Sequence, residues 1–170
     1  MNTENKGNKS QEYKILFPKD NYALCHREDN EGLPSVIVVN LGLKDFRWKD
    51  VFGWYCSIII DFKELAENEM PTSEESKLVL DWLDEVDKGL QGDKEHPNAL
   101  FIARETYHGT VHAMWQVNNP KIAHQYLQEI INNKSCPREM DYVIEPDEKW
   151  EYVDCFFHPE QSANENDNEN

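Results

Sequence analysis

The chain has 170 residues, with 33 acidic side chains against 17 basic ones and a formal net charge of −16 at pH 7. That length suits one domain with a real hydrophobic core. Charge of that sign repels phosphate backbones, which disfavours direct nucleic-acid binding and points to a basic protein as the electrostatic complement.

The polar starts and ends come first. Residues 1–12 and 161–170 have nothing to bury and read as disordered tails, leaving a single α+β domain over residues 13–160. Met1 to Glu12 lacks the apolar centre of a secretory signal. Tyr13 to Phe17 is a short candidate strand, and Ser35 to Leu41 a clearer one. Trp54 to Phe62 is apolar on both faces, which predicts a central strand. Its run Ile58-Ile59-Ile60 stops at Asp61, far short of a membrane span.

A helix is expected from Thr72. The threonine can cap it, and Glu75 three residues on can return the bond as a capping box. Val79, Leu83, Val86 and Leu90 recur at helical spacing, flanked by Leu78 and Trp82, and Gly89 and Gly92 supply the stop. Asn98–Tyr107 and Thr110–Asn118 flank His108-Gly109, a two-residue hairpin turn. That register pairs Leu100 with Val117 and Ile102 with Trp115 on one face. Phe101 with Gln116, Ala103 with Met114 and Glu105 with His112 fall on the other. A second helix opens at Asn119-Pro120, a cap followed by proline at the first helical position. Ile122, Ala123, Tyr126, Leu127, Ile130 and Ile131 are its apolar face. Met140 to Glu145 is a further strand. From Trp54 the order is β-α-β-β-α-β, which predicts a ferredoxin-like core with both helices on one sheet face. An extra N-terminal strand precedes it. The C-terminal extension Trp150–His158 follows, with its place on the sheet open.

The acidity is clustered. Residues 61–95 hold 12 acids against 4 bases, residues 138–154 hold 7 against 2, and residues 1–60 balance at 8 against 8. On the first helix, Asp81, Asp84 and Glu85 lie opposite the apolar stripe. They are either a solvated face or a docking surface for a basic partner. Trp150, with Glu151 and Asp154 beside it, is a second candidate, the tryptophan serving either as an interface anchor or as packing under a loop. Trp48 poses the same choice. Trp54, Trp82 and Trp115 fit core positions.

Catalytic signals are weak. His112 opposes Glu105 across the hairpin, a pair able to move protons if a pocket holds substrate, and equally an ordinary cross-strand contact. No nucleophile is placed beside it. Cys155 and His158 have ligand-like spacing and Cys25 adjoins His26, but nothing completes a four-ligand metal site. Cys25, Cys56, Cys136 and Cys155 form no CxxC pair, so reduced thiols in a cytoplasmic protein are expected. Walker, H-E-x-x-H and G-x-S-x-G motifs do not occur, and no cofactor is implied.

From Val36 onward the chain resembles a bacterial family known as domain of unknown function six-nine-five. The matching pieces are Val38-Val39-Asn40-Leu41-Gly42-Leu43, the strand around Trp54 and the helix start Pro71-x-x-Glu74. The most specific is the closing run from Asp147 through Trp150, Tyr152 and Asp154-Cys155-Phe156-Phe157 to Pro159. That family is distantly similar to the acidic inhibitors of ribonuclease E, of the regulator B type. The resemblance implies a small inhibitor with a ferredoxin-like core and no cofactor. The expected function is therefore a non-enzymatic acidic binding protein. It would inhibit or neutralise a basic nucleic-acid-processing protein, as a ribonuclease regulator or as immunity to a nuclease toxin. The alternatives are a small enzyme using the Glu105–His112 face and a peptide-binding scaffold module.

Overall fold

The computed structural model describes residues 14–159. The expected tails lie outside the described residues, as does Tyr13. Lys14 to Phe17 is not a strand. Phe17 is held instead by its ring, stacked at 5.9 Å on Phe46 and edge-on at 6.0 Å to Phe52.

The elements are β1 (Tyr22–Glu28), β2 (Pro34–Asn40), β3 (Trp54–Asp61), α1 (Ser73–Gln91), β4 (Ala99–Tyr107), β5 (Thr110–Val117), α2 (Pro120–Asn132) and β6 (Met140–Pro146). Short 3-10 turns occupy Leu41–Leu43, Lys49–Phe52 and Asp154–Phe157. The fold is α+β. All six strands join one sheet in the order β1-β2-β4-β5-β3-β6, and every neighbouring pair is antiparallel. The apolar strand β3 lies between β5 and β6; the helices cover its Cys56, Ile58 and Ile60, and the irregular segments cover Tyr55 on the other face.

Each face of the sheet carries its own core. On the first, Cys56, Ile58 and Ile60 of β3 and Val111, Ala113, Trp115 and Val117 of β5 meet both helices. Val79, Leu83, Val86 and Leu90 come from α1, and Ala123, Leu127 and Ile130 from α2. On the second, Val39, Tyr55, Ile102, Ala103 and Met114 are covered without a regular helix. Leu43, Phe46, Phe52, Trp150, Val153 and Phe157 from the irregular segments do that work. The extension after β6 is thus a pair of turns laid across the second face.

Local chemistry explains most boundaries. Thr72 accepts the Glu75 amide at 3.3 Å, so the expected cap is made. The other half of the capping box is not: the Glu75 carboxylate turns to Lys63 and Arg138 instead. Gly92, at φ 67°, ends α1. Gly89 does not stop the helix but lies inside it, because a Cβ there would fall 2.0 Å from the Tyr126 hydroxyl. Its absence lets α2 approach. Asn119 caps α2 through the amides of Lys121 at 3.0 Å and Ile122 at 3.4 Å. His108 and Gly109 both have positive φ, 49° and 75°, as a two-residue turn that follows strand twist requires.

Two further details differ from the sequence reading. Ile122 is 54% exposed and Ile131 also faces out, because each lies a hundred degrees round the helix from the buried Ala123 and Ile130. In the hairpin, Ala103–Met114 and Glu105–His112 pair as expected. A bulge between Phe101 and Ala103 then shifts the register by one. Leu100 opposes Gln116 and Phe101 opposes Trp115, and the extra residue Ile102 joins Ala103 on the second face.

Candidate functional site

The exposed side of α1 carries the expected acids. Asp81 forms an ion pair with Lys77, Glu85 pairs with Lys88 at 2.6 Å, and Asp84 faces Arg104 of β4 at 3.6 Å. All three aspartate and glutamate side chains remain largely in solvent, where single pairs contribute little to stability.

The second acidic cluster does not join the first. Glu151 and Asp154 sit on turns over the second sheet face, whereas α1 lies on the first. One docking surface therefore cannot use both without wrapping the domain. Trp150 corrects the anchor expectation more directly. It is fully buried, at 0% exposure, stacked on Phe46 at 5.7 Å, and its Nε1 donates to the Phe52 carbonyl at 3.0 Å and to that of Lys49 at 3.1 Å. It pins the extension to the sheet and presents nothing to a partner. Asp147 completes the pin: its carboxylate accepts the amides of Glu151 and Tyr152 and one Gln116 N–H at 2.8 Å. Trp48 is half-buried against the same core.

The Glu105–His112 face is occupied by its own neighbours. Ser35 Oγ donates to Glu105 at 2.7 Å, and His112 Nε2 lies 3.2 Å from the Tyr55 hydroxyl. Burial lowers the His112 pKa, with Glu105 opposing the shift, so the ring is neutral near pH 7. The serine bonds the carboxylate and not the imidazole, so no activated nucleophile results. Cys155 is exposed, but burial of its sulfur raises its pKa, the reverse of what a reactive thiol needs. Among the described residues no group of three or more His, Cys, Asp or Glu side chains could hold a metal ion. No helix among them is long and apolar enough to cross a membrane.

Beside α1 lies a feature that periodicity could not reveal. The pairings Leu24–Val38 and Val38–Arg104 place the Tyr22, Leu24, Val36 and Val38 side chains on the helix-bearing face. No helix among the described residues covers that part of it. Tyr22 is 54% and Leu24 61% exposed, while Val36, Val38 and Phe101 are half-buried. A cleft results between α1 and the β1–β2 ribbon. One section, of about 290 Å³, runs past Val36, Val38, Ser76 and Leu80. The next, of about 150 Å³, is walled by Tyr22, Phe101, Trp115 and Asp84. At its floor Asp87 accepts the Trp115 indole N–H at 2.8 Å. Burial raises the Asp87 pKa, and Asp84 and Asp20 add to the rise. Asp20, Asp87 and Asp84 also act together on the Tyr22 phenol, which burial first and these charges next push up to about 12.

The model of a family described as "Family of unknown function (DUF695)" matches residues 24–157 of this chain. No curated protein matches it, and neither does any solved structure.

Proposed function

The chain belongs to that family, whose function is unknown, so from the geometry we propose a non-enzymatic acidic binding protein that docks on a basic protein through the exposed side of α1. The observation that carries this reading is the set Asp81, Asp84 and Glu85, largely exposed along one helix side beyond their own pairs with Lys77, Arg104 and Lys88, and continued by Asp87 and Asp20 around an open apolar cleft. Clustered charge of one sign steers a complementary partner, and apolar surface beside it supplies the attraction that persists once salt is added. A nucleic-acid-processing protein is the natural complement, since it carries the basic surface that binds phosphate. The protein then acts as its inhibitor, as a ribonuclease regulator or as immunity to a nuclease toxin. The strand order β4-β5-β3-β6 with both helices on one face supports a ferredoxin-like βαββαβ core, extended by β1 and β2 at one edge. A ferredoxin-like core is also what the sequence leads us to expect from a resemblance to ribonuclease E inhibitors, although no curated protein matches the chain. The four unpaired cysteines support a reducing, cytoplasmic setting.

The test is association rate against ionic strength with the captured partner. Reversing Asp81, Asp84 and Glu85 together to lysine should slow association at low salt and flatten its salt dependence, because a Debye length of about 8 Å screens the effect at physiological strength. Each surface change should move stability by no more than about 0.5 kcal/mol. Equal rates for wild type and variant at low salt would remove α1 as the docking side.

A further inference from the structure

Two features stand outside the function argued above, and a third deepens it. The hollow of about 650 Å³ around Lys63, Lys134 and Arg138 holds two surface lysines and an arginine already bound to Glu75, which makes no anion site. The buried Gln116 Oε1 has no partner among the described residues, but it lines none of the cavities described above. The cleft between α1 and the β1–β2 ribbon differs from both, since it combines an open apolar surface with a sheltered carboxylate.

We propose that this cleft receives an extended segment of the partner protein bearing an arginine or lysine next to aliphatic residues. The cation would lie against Asp87 and Asp84 beside the rings of Tyr22 and Phe101, which pack on each other at 6.3 Å, and the aliphatic neighbours over Val36, Val38 and Leu80. This rests on the reading of the protein as a binder of basic partners and names the part of the partner that is recognised.

Four observations carry it. The first is charge. Asp20, Asp84 and Asp87 surround this section of the cleft, and Arg104, already facing Asp84 at 3.6 Å, is the cation among its lining residues. Asp87 is held by a neutral indole and lacks an ion pair with any described residue, so an incoming cation would relieve a carboxylate that burial and two like charges already disfavour. The second is aromatic walling, because a guanidinium or ammonium is attracted to ring faces. The third is size. A section of about 150 Å³ is below the range of small-molecule pockets, roughly 300–1,000 Å³, and suits one side chain. The fourth is continuity. The two sections share Val38 and Arg104, and a third hollow of about 400 Å³, past Asp20, Gln91 and Lys94, shares Tyr22, Asp87 and Phe101 with the middle one, so the cleft follows one side of α1 from Ser73 to Gln91 as an extended chain would. Its far end passes Lys19 and Lys94, which confines the cation to the middle. Other occupants fit less well. Residues 160–170 carry four acids and no base, so the chain's own end would be repelled. A second copy would bring another net charge of −16.

The experiment uses the full chain and three blocked tripeptides, Leu-Arg-Leu, Leu-Gln-Leu and Leu-Glu-Leu. Nitrogen–proton correlation spectra follow the indole N–H of Trp115, assigned through Trp115→Phe, and methyl spectra follow Leu24 and Val38. The arginine peptide should shift all three signals saturably. The glutamine and glutamate peptides should bind at least about tenfold more weakly. Asp87→Asn keeps an acceptor for the indole and so keeps the fold, yet it should cost the arginine peptide about tenfold in affinity. A variant with Asp81 and Glu85 changed to lysine, outside the cleft, should bind the peptide within about twofold of wild type. The proposal is overturned if millimolar arginine peptide leaves the Trp115 indole unmoved, if the three peptides act alike, or if Asp87→Asn binds as well as wild type. Dilution shifts of the same signals without peptide would overturn it too, since a second copy would then fill the cleft. Peptide binding, with reversal of Asp81 and Glu85 alone leaving partner association unchanged, would uphold the cleft while removing the broader docking reading.

Discussion

Replacing Arg138 with methionine should be one of the costliest single changes outside the hydrophobic core. Arg138 grips Glu75 with two bonds, Nε to Oε1 at 2.7 Å and Nη2 to Oε2 at 2.5 Å, while the Lys63 amide donates to Oε1 at 2.8 Å. The Glu75 side chain is 1% exposed and that of Arg138 17%. Removing the arginine therefore leaves a buried carboxylate with one amide donor, a loss of about 3–5 kcal/mol at pH 7. Removing the glutamate leaves a cation that reaches water, so Glu75→Gln should cost less. The pH dependence follows from the same contacts. The Arg138 hydrogen bonds hold the Glu75 pKa down at about 2, from an ordinary 4.5. A depressed carboxyl contributes stability that is present above 4.5 and lost as pH falls toward 2. In the methionine variant the buried acid is free to protonate, so acid relieves it. Urea unfolding at pH 7 and pH 3 measures both. With a slope of about 2 kcal/mol per M, the midpoint at pH 7 should drop by roughly 2 M and the gap to wild type should narrow at pH 3. A variant within 1 kcal/mol of wild type at pH 7 by this rule of thumb, or a gap that widens in acid, would refute the account of the clamp.

Gly89→Ala should lower the melting temperature despite the roughly 1 kcal/mol of helix propensity gained, because the new methyl meets the Tyr126 ring. Repacking should cost about 1–3 kcal/mol, and the sign should reverse in a Tyr126→Leu background. Leu83→Ala should destabilise by about 2–5 kcal/mol in denaturant titration, since the side chain is buried between α1 and the sheet. The double change Glu105→Ala with His112→Ala should leave partner binding and biological activity intact in the folded protein. Lost activity with binding retained would restore the enzyme reading. The double variant should be about 1–3 kcal/mol less stable, since the Ser35 hydroxyl loses its acceptor.

What was legible in the sequence is what neighbours decide. Caps at Thr72 and Asn119, the turn at His108-Gly109 and the stripe from Val79 to Leu90 depend on residues within one or two turns of each other, and all appear where spacing puts them. Family membership was legible as well, through the closing run after Asp147. The strand β1 was not, because it is an edge strand whose side chains never become fully buried, so no apolar alternation marks it. Long-range contacts decided the remainder. Glu75 looked like a local cap residue until Arg138, 63 positions away, claimed its carboxylate. Sequence left Trp150 open between an interface anchor and packing under a loop, and only the carbonyls about a hundred residues earlier, which take its indole, decide for packing. Sequence marked two acidic clusters as separate candidates but could not relate them in space, and only the sheet between them puts α1 on one face and Glu151 and Asp154 on the other. The cleft that holds Asp87 exists for the same reason: β1 and β2 add to the sheet beyond the reach of α1, a matter of strand order that no local pattern of side chains records.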